Sequence, residues 1–81
     1  MGRRSRTEII GEMLEASAEG ATKTALAYRI NLGFGLAQKY LNDLLEKGLL
    51  NLEKSSPTKY KLSEDGIQTL KKWRDLKRLM L

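Results

Sequence analysis

Four carboxylates stand at helical spacing near the start of the chain, at Glu8, Glu12, Glu15 and Glu19. At roughly 100° per residue they stack within about 60° of one another on one helix face. Paired carboxylates can hold a metal or move a proton, but only where apolar or cationic neighbours perturb them. The sequence places no such neighbours beside these four, so a solvated acidic face is expected, and it marks the side that a polyanion avoids. The rest of the catalytic inventory is thin. The chain has no Cys and no His, which excludes disulfides, thiol nucleophiles, zinc clusters built on these ligands, and imidazole acid–base chemistry. It carries neither a nucleophile–base pair nor a glycine-rich phosphate loop. Neither enzymatic activity nor a metal or cofactor is expected.

Positive charge is the chemistry that remains. The 81 residues carry a net charge of +5, with 15 Lys and Arg against 10 Asp and Glu. The charge is unevenly spread. Residues 1–19 hold three Arg and four Glu, whereas residues 20–81 hold twelve basic and six acidic side chains. Such asymmetry points to a polyanionic partner, nucleic acid first and an anionic membrane second, with simple solubility as the plain alternative. No apolar run approaches the roughly 18 residues that span a bilayer. Arg3, Arg4 and Arg6 are followed by no apolar stretch, so a secretory signal is not expected. An intracellular, cytoplasmic and nucleoid-associated setting is the expectation, with no small-molecule ligand.

The elements that position these charges follow from local patterns. Length allows one small domain, since a second core would need roughly 50 more residues. Ser5 with Glu8 forms a capping box that starts a first helix. Ile10, Met13, Leu14, Ser17 and Ala18 supply its apolar stripe, flanked by Ile9 and Ala16, and Gly20 stops it. A short helix covers residues 22–30, capped by Thr22 or Thr24, with Leu26, Ala27 and Ile30 inward. After a turn at Asn31, Leu32 and Gly33, a third helix runs to about Lys47 and ends at Gly48. Its inner face is Phe34, Ala37, Leu41 and Leu44, with Leu45 alongside. Two helices joined by about three residues make a helix-turn-helix.

The apolar period then changes from 3.6 to 2. Leu50 and Leu52 alternate with Asn51 and Glu53, and Tyr60 and Leu62 with Lys59 and Lys61, across a turn containing Ser55, Ser56 and Pro57. This is a two-stranded hairpin with one buried face and one wet face bearing Lys54, Lys59 and Lys61. Ser63 caps a last helix with Glu64 and Asp65 in its first turn. Ile67, Leu70, Trp73, Leu76 and Leu79 recur in steps of three, so the stripe winds round the cylinder and one core cannot cover it all. Ile67, stapled to Leu62, and Leu70 are expected to seal the domain.

Helix, helix-turn-helix, hairpin and helix is a winged helix layout, a mainly α, α+β fold with a three-helix core. From Thr24 onward the resemblance is closer. Thr24 to Tyr28, then Asn31 and Leu32, then Lys39 to Leu41, Leu44 to Leu49, and Lys59 to Gly66 resemble the small archaeal winged helix-turn-helix DNA-binding proteins. That group includes chromatin-type proteins that dimerise through a C-terminal helix. The resemblance implies double-stranded DNA as partner, with a role as transcriptional regulator or small chromatin-like protein. It implies that the third helix enters the major groove, presenting Gly33, Gly35, Leu36, Gln38, Lys39 and Asn42, and that the wing follows the backbone. Only Gln38, Lys39 and Asn42 of these can hydrogen-bond a base edge, so weak sequence discrimination is expected. Leu36 suits a thymine methyl or a partner protein.

Residues 1–6 then form a basic arm whose Arg3, Arg4 and Arg6 are expected to contact DNA phosphates together with Lys39, Lys54, Lys59 and Lys61; 7–62 form the winged domain, and 63–81 a dimerisation helix. Trp73, Leu76 and Met80 cluster on one side of that helix and Leu79 widens the apolar surface, so a homodimer seam is expected there. The alternative is that this helix folds back along the first and satisfies these residues within one chain. A second functional reading is a winged-helix module that docks on protein, with incidental basic charge.

Overall fold

A computed structural model describes residues 4–80, so Arg3 and Leu81 lie outside the described residues. The element order is α1 (Arg6–Ala16), α2 (Lys23–Arg29), α3 (Phe34–Glu46), β1 (Leu50–Glu53), β2 (Lys59–Leu62) and α4 (Glu64–Met80). Ser5 begins α1 through a complete capping box: Glu8 N–H donates to Ser5 Oγ at 3.1 Å and Ser5 N–H donates to the Glu8 carboxylate at 2.8 Å. The Ser5 backbone N–H, helped by its side chain, holds the Glu8 carboxyl below the usual carboxylate range. The cap's contribution is therefore complete above that range and fades as pH falls through the lowered value. Thr22, not Thr24, caps α2 by accepting from Ala25 N–H. Gly48, with φ 74°, follows α3.

α1, α2 and α3 enclose a core of Met13, Leu14, Leu26, Ala27, Ile30, Ala37, Leu41 and Leu44. Ser17 is buried with them because its hydroxyl donates back to the Met13 carbonyl at 2.8 Å. The hairpin closes the open end. β1 and β2 are antiparallel with Leu50 opposite Leu62 and Leu52 opposite Tyr60. β2 is also bonded on its other side, where Ala21 and Tyr60 exchange both N–H···O bonds at 3.0 and 2.7 Å. Tyr60 is thus flanked on both sides and buried. Leu52, on the outer strand and nearer the wing tip, stays exposed, contrary to the simple alternation.

Two other apolar expectations are corrected. Phe34 is 57 % exposed rather than core. It is the first residue of α3, one turn before Ala37, and that end of the core is already closed by Ile30 and partly buried Leu32. Ile67 is 44 % exposed. Its neighbour Gly66 is buried instead, because a Cβ there would overlap the Leu49 carbonyl oxygen. That backbone approach sets the rotation of α4: Gly66, Leu70 and Trp73 point inward at i, i+4 and i+7, and Ile67 turns out.

Trp73 leans on α1. A Cβ on Gly11 would overlap its indole, so Gly11 opens a flat seat on the helix. Glycine in a helix interior is about 1 kcal/mol worse than alanine, a loss offset by the aromatic contact. Gly11→Ala is expected to lose about 1 kcal/mol net, the helix gain being outweighed by overpacking of roughly 1–3 kcal/mol. The chain has one Trp, so its emission reports the seat directly. A red shift is expected as the indole moves toward water; a more stable variant with unchanged emission would place the indole elsewhere.

Candidate nucleic-acid interface

The outer face of α3 carries the groove-facing set expected from sequence. Gly33, Gly35, Leu36, Lys39 and Asn42 are exposed and Gln38 is half-buried, while Ala37, Leu41 and Leu44 face the core. A Cβ at Gly33 or Gly35 would meet nothing within 4 Å, and neither residue has a positive φ. Nothing inside the fold requires glycine at these two positions. Their effect is to leave the first turn of α3 bare, so that a surface approaching from outside can reach the backbone.

Lysines on α3 and the wing are unpartnered. Among the described residues Lys39, Lys54, Lys59 and Lys61 are exposed and make no ion pair. Lys59 and Lys61 flank buried Tyr60 and so share the outer face of β2. No hydrogen bond among the described residues joins the wing lysines to α3.

The arginines behave differently. Arg4, expected in a basic arm, is held within the fold: it pairs with Glu12 and donates to the Ile30 carbonyl at 2.6 Å. Its guanidinium thus serves an orphan carbonyl at the end of α2 as well as a carboxylate of α1, which ties the side chain into the fold. Arg6 is the first residue of α1 and lies against α3, 3.1 Å from the Asp43 carboxylate and 6.0 Å from the centre of the Tyr40 ring. There it shares a shallow cleft with Leu36 and Lys39. Arg4→Met is expected to lower stability by about 1.5–3 kcal/mol, the order of a hydrogen bond made by a charged group net of solvation. Urea denaturation measures this, and the salt dependence of any anion binding should not move.

The acidic face of α1 is also more than a solvated surface. Glu12 pairs with Arg4, and Glu15 with Arg74 of α4 at 3.1 Å. Arg4 is only eight residues from Glu12, but Glu15 and Arg74 are 59 residues apart, so the local pattern around the carboxylates gave no sign of that second pair.

Sequence reading missed Lys23 and Tyr28. Lys23 Nζ donates to Gln38 Oε1 at 2.9 Å and lies 5.9 Å from the centre of the exposed Phe34 ring. A signal existed: Lys23 is the first residue of α2, where the helix dipole disfavours a cation. Tyr28 and Phe34 are exposed and line a cleft at the helix-turn-helix corner with Thr24, Ala27, Leu32 and Gly33.

On α4 the expected seam residues divide. Trp73 is half-buried against Gly11, with Lys77 Nζ 4.8 Å from its ring centre, so α4 does fold back along α1 in part. Leu76 remains exposed, and Leu79 and Met80 are 83 % and 75 % exposed. Trp73, Leu76 and Met80 line a cleft of about 450 Å³ beside Thr7 and Glu12. No helix of the described residues is long and apolar enough to cross a membrane.

Several solved structures share this architecture. Sso10a-2, a DNA-binding protein from Sulfolobus solfataricus, superposes with a TM-score of 0.84 at 24 % identity, over 95 % of this chain and 82 % of its own. MepR, a transcription regulator of a Staphylococcus aureus multidrug efflux pump, matches at TM-score 0.76 and 16 % identity over 91 % of this chain. The M. tuberculosis transcriptional regulator MosR matches at 0.66 and 19 % identity over 95 %. The chain spans only 56 % and 61 % of the lengths of those two regulators. No curated protein matches it in sequence. The sequence model of winged helix-turn-helix proteins, in contrast, matches residues 3–81. Since that match runs over nearly the whole chain, and the helices and hairpin fall in the order it requires, the protein belongs to the winged helix-turn-helix family.

Proposed function

We propose that this protein binds double-stranded DNA without catalysing a reaction, as a transcriptional regulator or a small chromatin-like protein in the cytoplasm. In this reading α3 enters the major groove with Gly33, Gly35, Leu36, Gln38, Lys39 and Asn42, and Lys54, Lys59 and Lys61 of the wing follow the phosphate backbone. The observation that carries it is the sorting of charge. Lys39 and the wing lysines have no carboxylate partner among the described residues, whereas Glu12 and Glu15 on α1 are paired with arginines. Unpaired cations on α3 and the wing, with a bare first turn on α3, suit a polyanion. Arg6, though paired with Asp43, lies beside Lys39 and Leu36 on this surface, whereas Arg4 is tied to α1 and the end of α2. The protein acts as a homodimer through the exposed Leu76, Leu79 and Met80 of α4, which sets two α3 helices on one duplex.

Titration of the full chain with random duplex DNA at several salt concentrations tests the reading. Binding that weakens steeply and linearly in log K against log salt is expected, and salt-independent or absent binding overturns it. One observation favours a second reading, docking on protein: Tyr28, Phe34 and Leu36 give the helix-turn-helix corner an exposed apolar strip. Under that reading Tyr28→Ser with Phe34→Ser abolishes partner binding while the lysines are dispensable.

A further inference from the structure

Lys23, Gln38 and Asn42 form a hydrogen-bonded relay across the helix-turn-helix whose direction is dictated by chemistry. Lys23 Nζ lies 2.9 Å from Gln38 Oε1, and Gln38 Nε2 lies 2.9 Å from Asn42 Oδ1. An ammonium has donors and no acceptor. Gln38 must therefore turn its carbonyl oxygen to Lys23, which aims its NH₂ group at Asn42, and Asn42 must accept with Oδ1. Both amide oxygens are engaged inside the relay. With one lone pair of each oxygen spent, what faces an approaching ligand is richer in donors than in acceptors: the Asn42 NH₂, the second N–H of Gln38 and the remaining N–H bonds of Lys23.

We propose that this relay discriminates bases, favouring guanine over adenine in the major groove, an inference that rests on the DNA-binding reading above. An Asn or Gln side chain reads adenine by donating to N7 while its carbonyl oxygen accepts from N6. Here each amide oxygen is turned toward its relay partner and has already spent one of its two lone pairs, so the adenine pairing is weakened in advance. Guanine presents two adjacent acceptors, N7 and O6, and a donor-rich surface matches them. Asn42 and Gln38, one turn apart on α3, are the groups that touch the base. Lys23 is a positioning residue: it sets the direction of both amides from a neighbouring helix. Its place at the start of α2, against the helix dipole, is then explained by what it does to Gln38. Without it, Gln38 is free to flip and either amide can turn its oxygen fully toward adenine.

The test uses the full chain and short duplexes of equal length at one fixed salt concentration: alternating G·C, alternating A·T, and the G·C duplex with 7-deazaguanine replacing guanine. The expected result is roughly tenfold tighter binding of G·C than of A·T, the order of one bidentate base contact. Most of that margin should vanish with 7-deazaguanine, which keeps the duplex but lacks N7. Lys23→Met should remove the preference, and Lys23→Arg, still donor-only, should keep it. A merely structural Lys23 would lower affinity for all three duplexes alike. Equal binding of the natural duplexes overturns the proposal, as does a G·C margin that survives 7-deazaguanine or Lys23→Met. The 7-deazaguanine comparison needs only the parent protein, so it decides the matter even where a variant folds poorly. Failure of the DNA-binding reading itself looks different: none of the duplexes binds in a salt-dependent way, and both readings fall together.

Discussion

Replacing Lys39, Lys54, Lys59 and Lys61 together by glutamine should remove much of the salt dependence of DNA binding. Each phosphate that is no longer neutralised flattens the slope of log K against log salt by about 0.9, so the four lysines together account for about 3.6. Over a fourfold rise in salt, the parent should lose roughly 150-fold more affinity than the quadruple variant. The four side chains are exposed and bonded to nothing among the described residues. Their replacement should therefore leave stability within about 0.5 kcal/mol, which separates a binding defect from a folding defect. Titrations monitored by fluorescence anisotropy measure both slope and affinity. Unchanged slope and affinity would show that the wing and α3 do not meet phosphate.

Leu76→Ser with Leu79→Ser should convert a dimer to a monomer. Leu79 and Met80 are mostly exposed and Leu76 about half so, and fully burying a large apolar side chain contributes about 1.5–3 kcal/mol. A two-fold seam loses four such leucines in the double variant. The sum is on the order of 4–8 kcal/mol, or at least about 10³-fold in the dimer dissociation constant. Trp73 is not the residue to change, because it seats on Gly11 within one chain and its removal would disturb the fold. Sedimentation at micromolar concentration should show the parent as dimer and the variant as monomer. DNA affinity should fall with it by about 10²-fold or more, since a second α3 tethered to the first binds at high effective concentration. A parent already monomeric, or a variant that remains dimeric, would rule out α4 as the seam.

The helices, the hairpin and their order were legible in the sequence because each rests on interactions only a few residues long. The Ser5–Glu8 box, Thr22 at the head of α2, and Leu41 with Leu44 on the inner face of α3 are all local chemistry or helical period. Hydrogen bonding and periodicity at that range hardly depend on the rest of the molecule. The wing lysines could be named from the alternation of the hairpin, and the exposed α3 set by position from the winged-helix resemblance. Tertiary structure decided which of several apolar choices was taken. Gly66 against Leu49 and Gly11 against Trp73 set the rotation and seat of α4, turning Ile67 outward, and a core already closed at the α2–α3 turn left Phe34 in solvent. Charge partners were equally out of reach: Arg4 meets Ile30, Arg6 meets Asp43, Arg74 meets Glu15, and Lys23 meets Gln38 across 15 to 59 residues of chain. A side chain's composition says what it can bond. Only the packing of elements, which brings distant residues to within about 3 Å or holds them apart, says which bond forms and which group is left to face a partner.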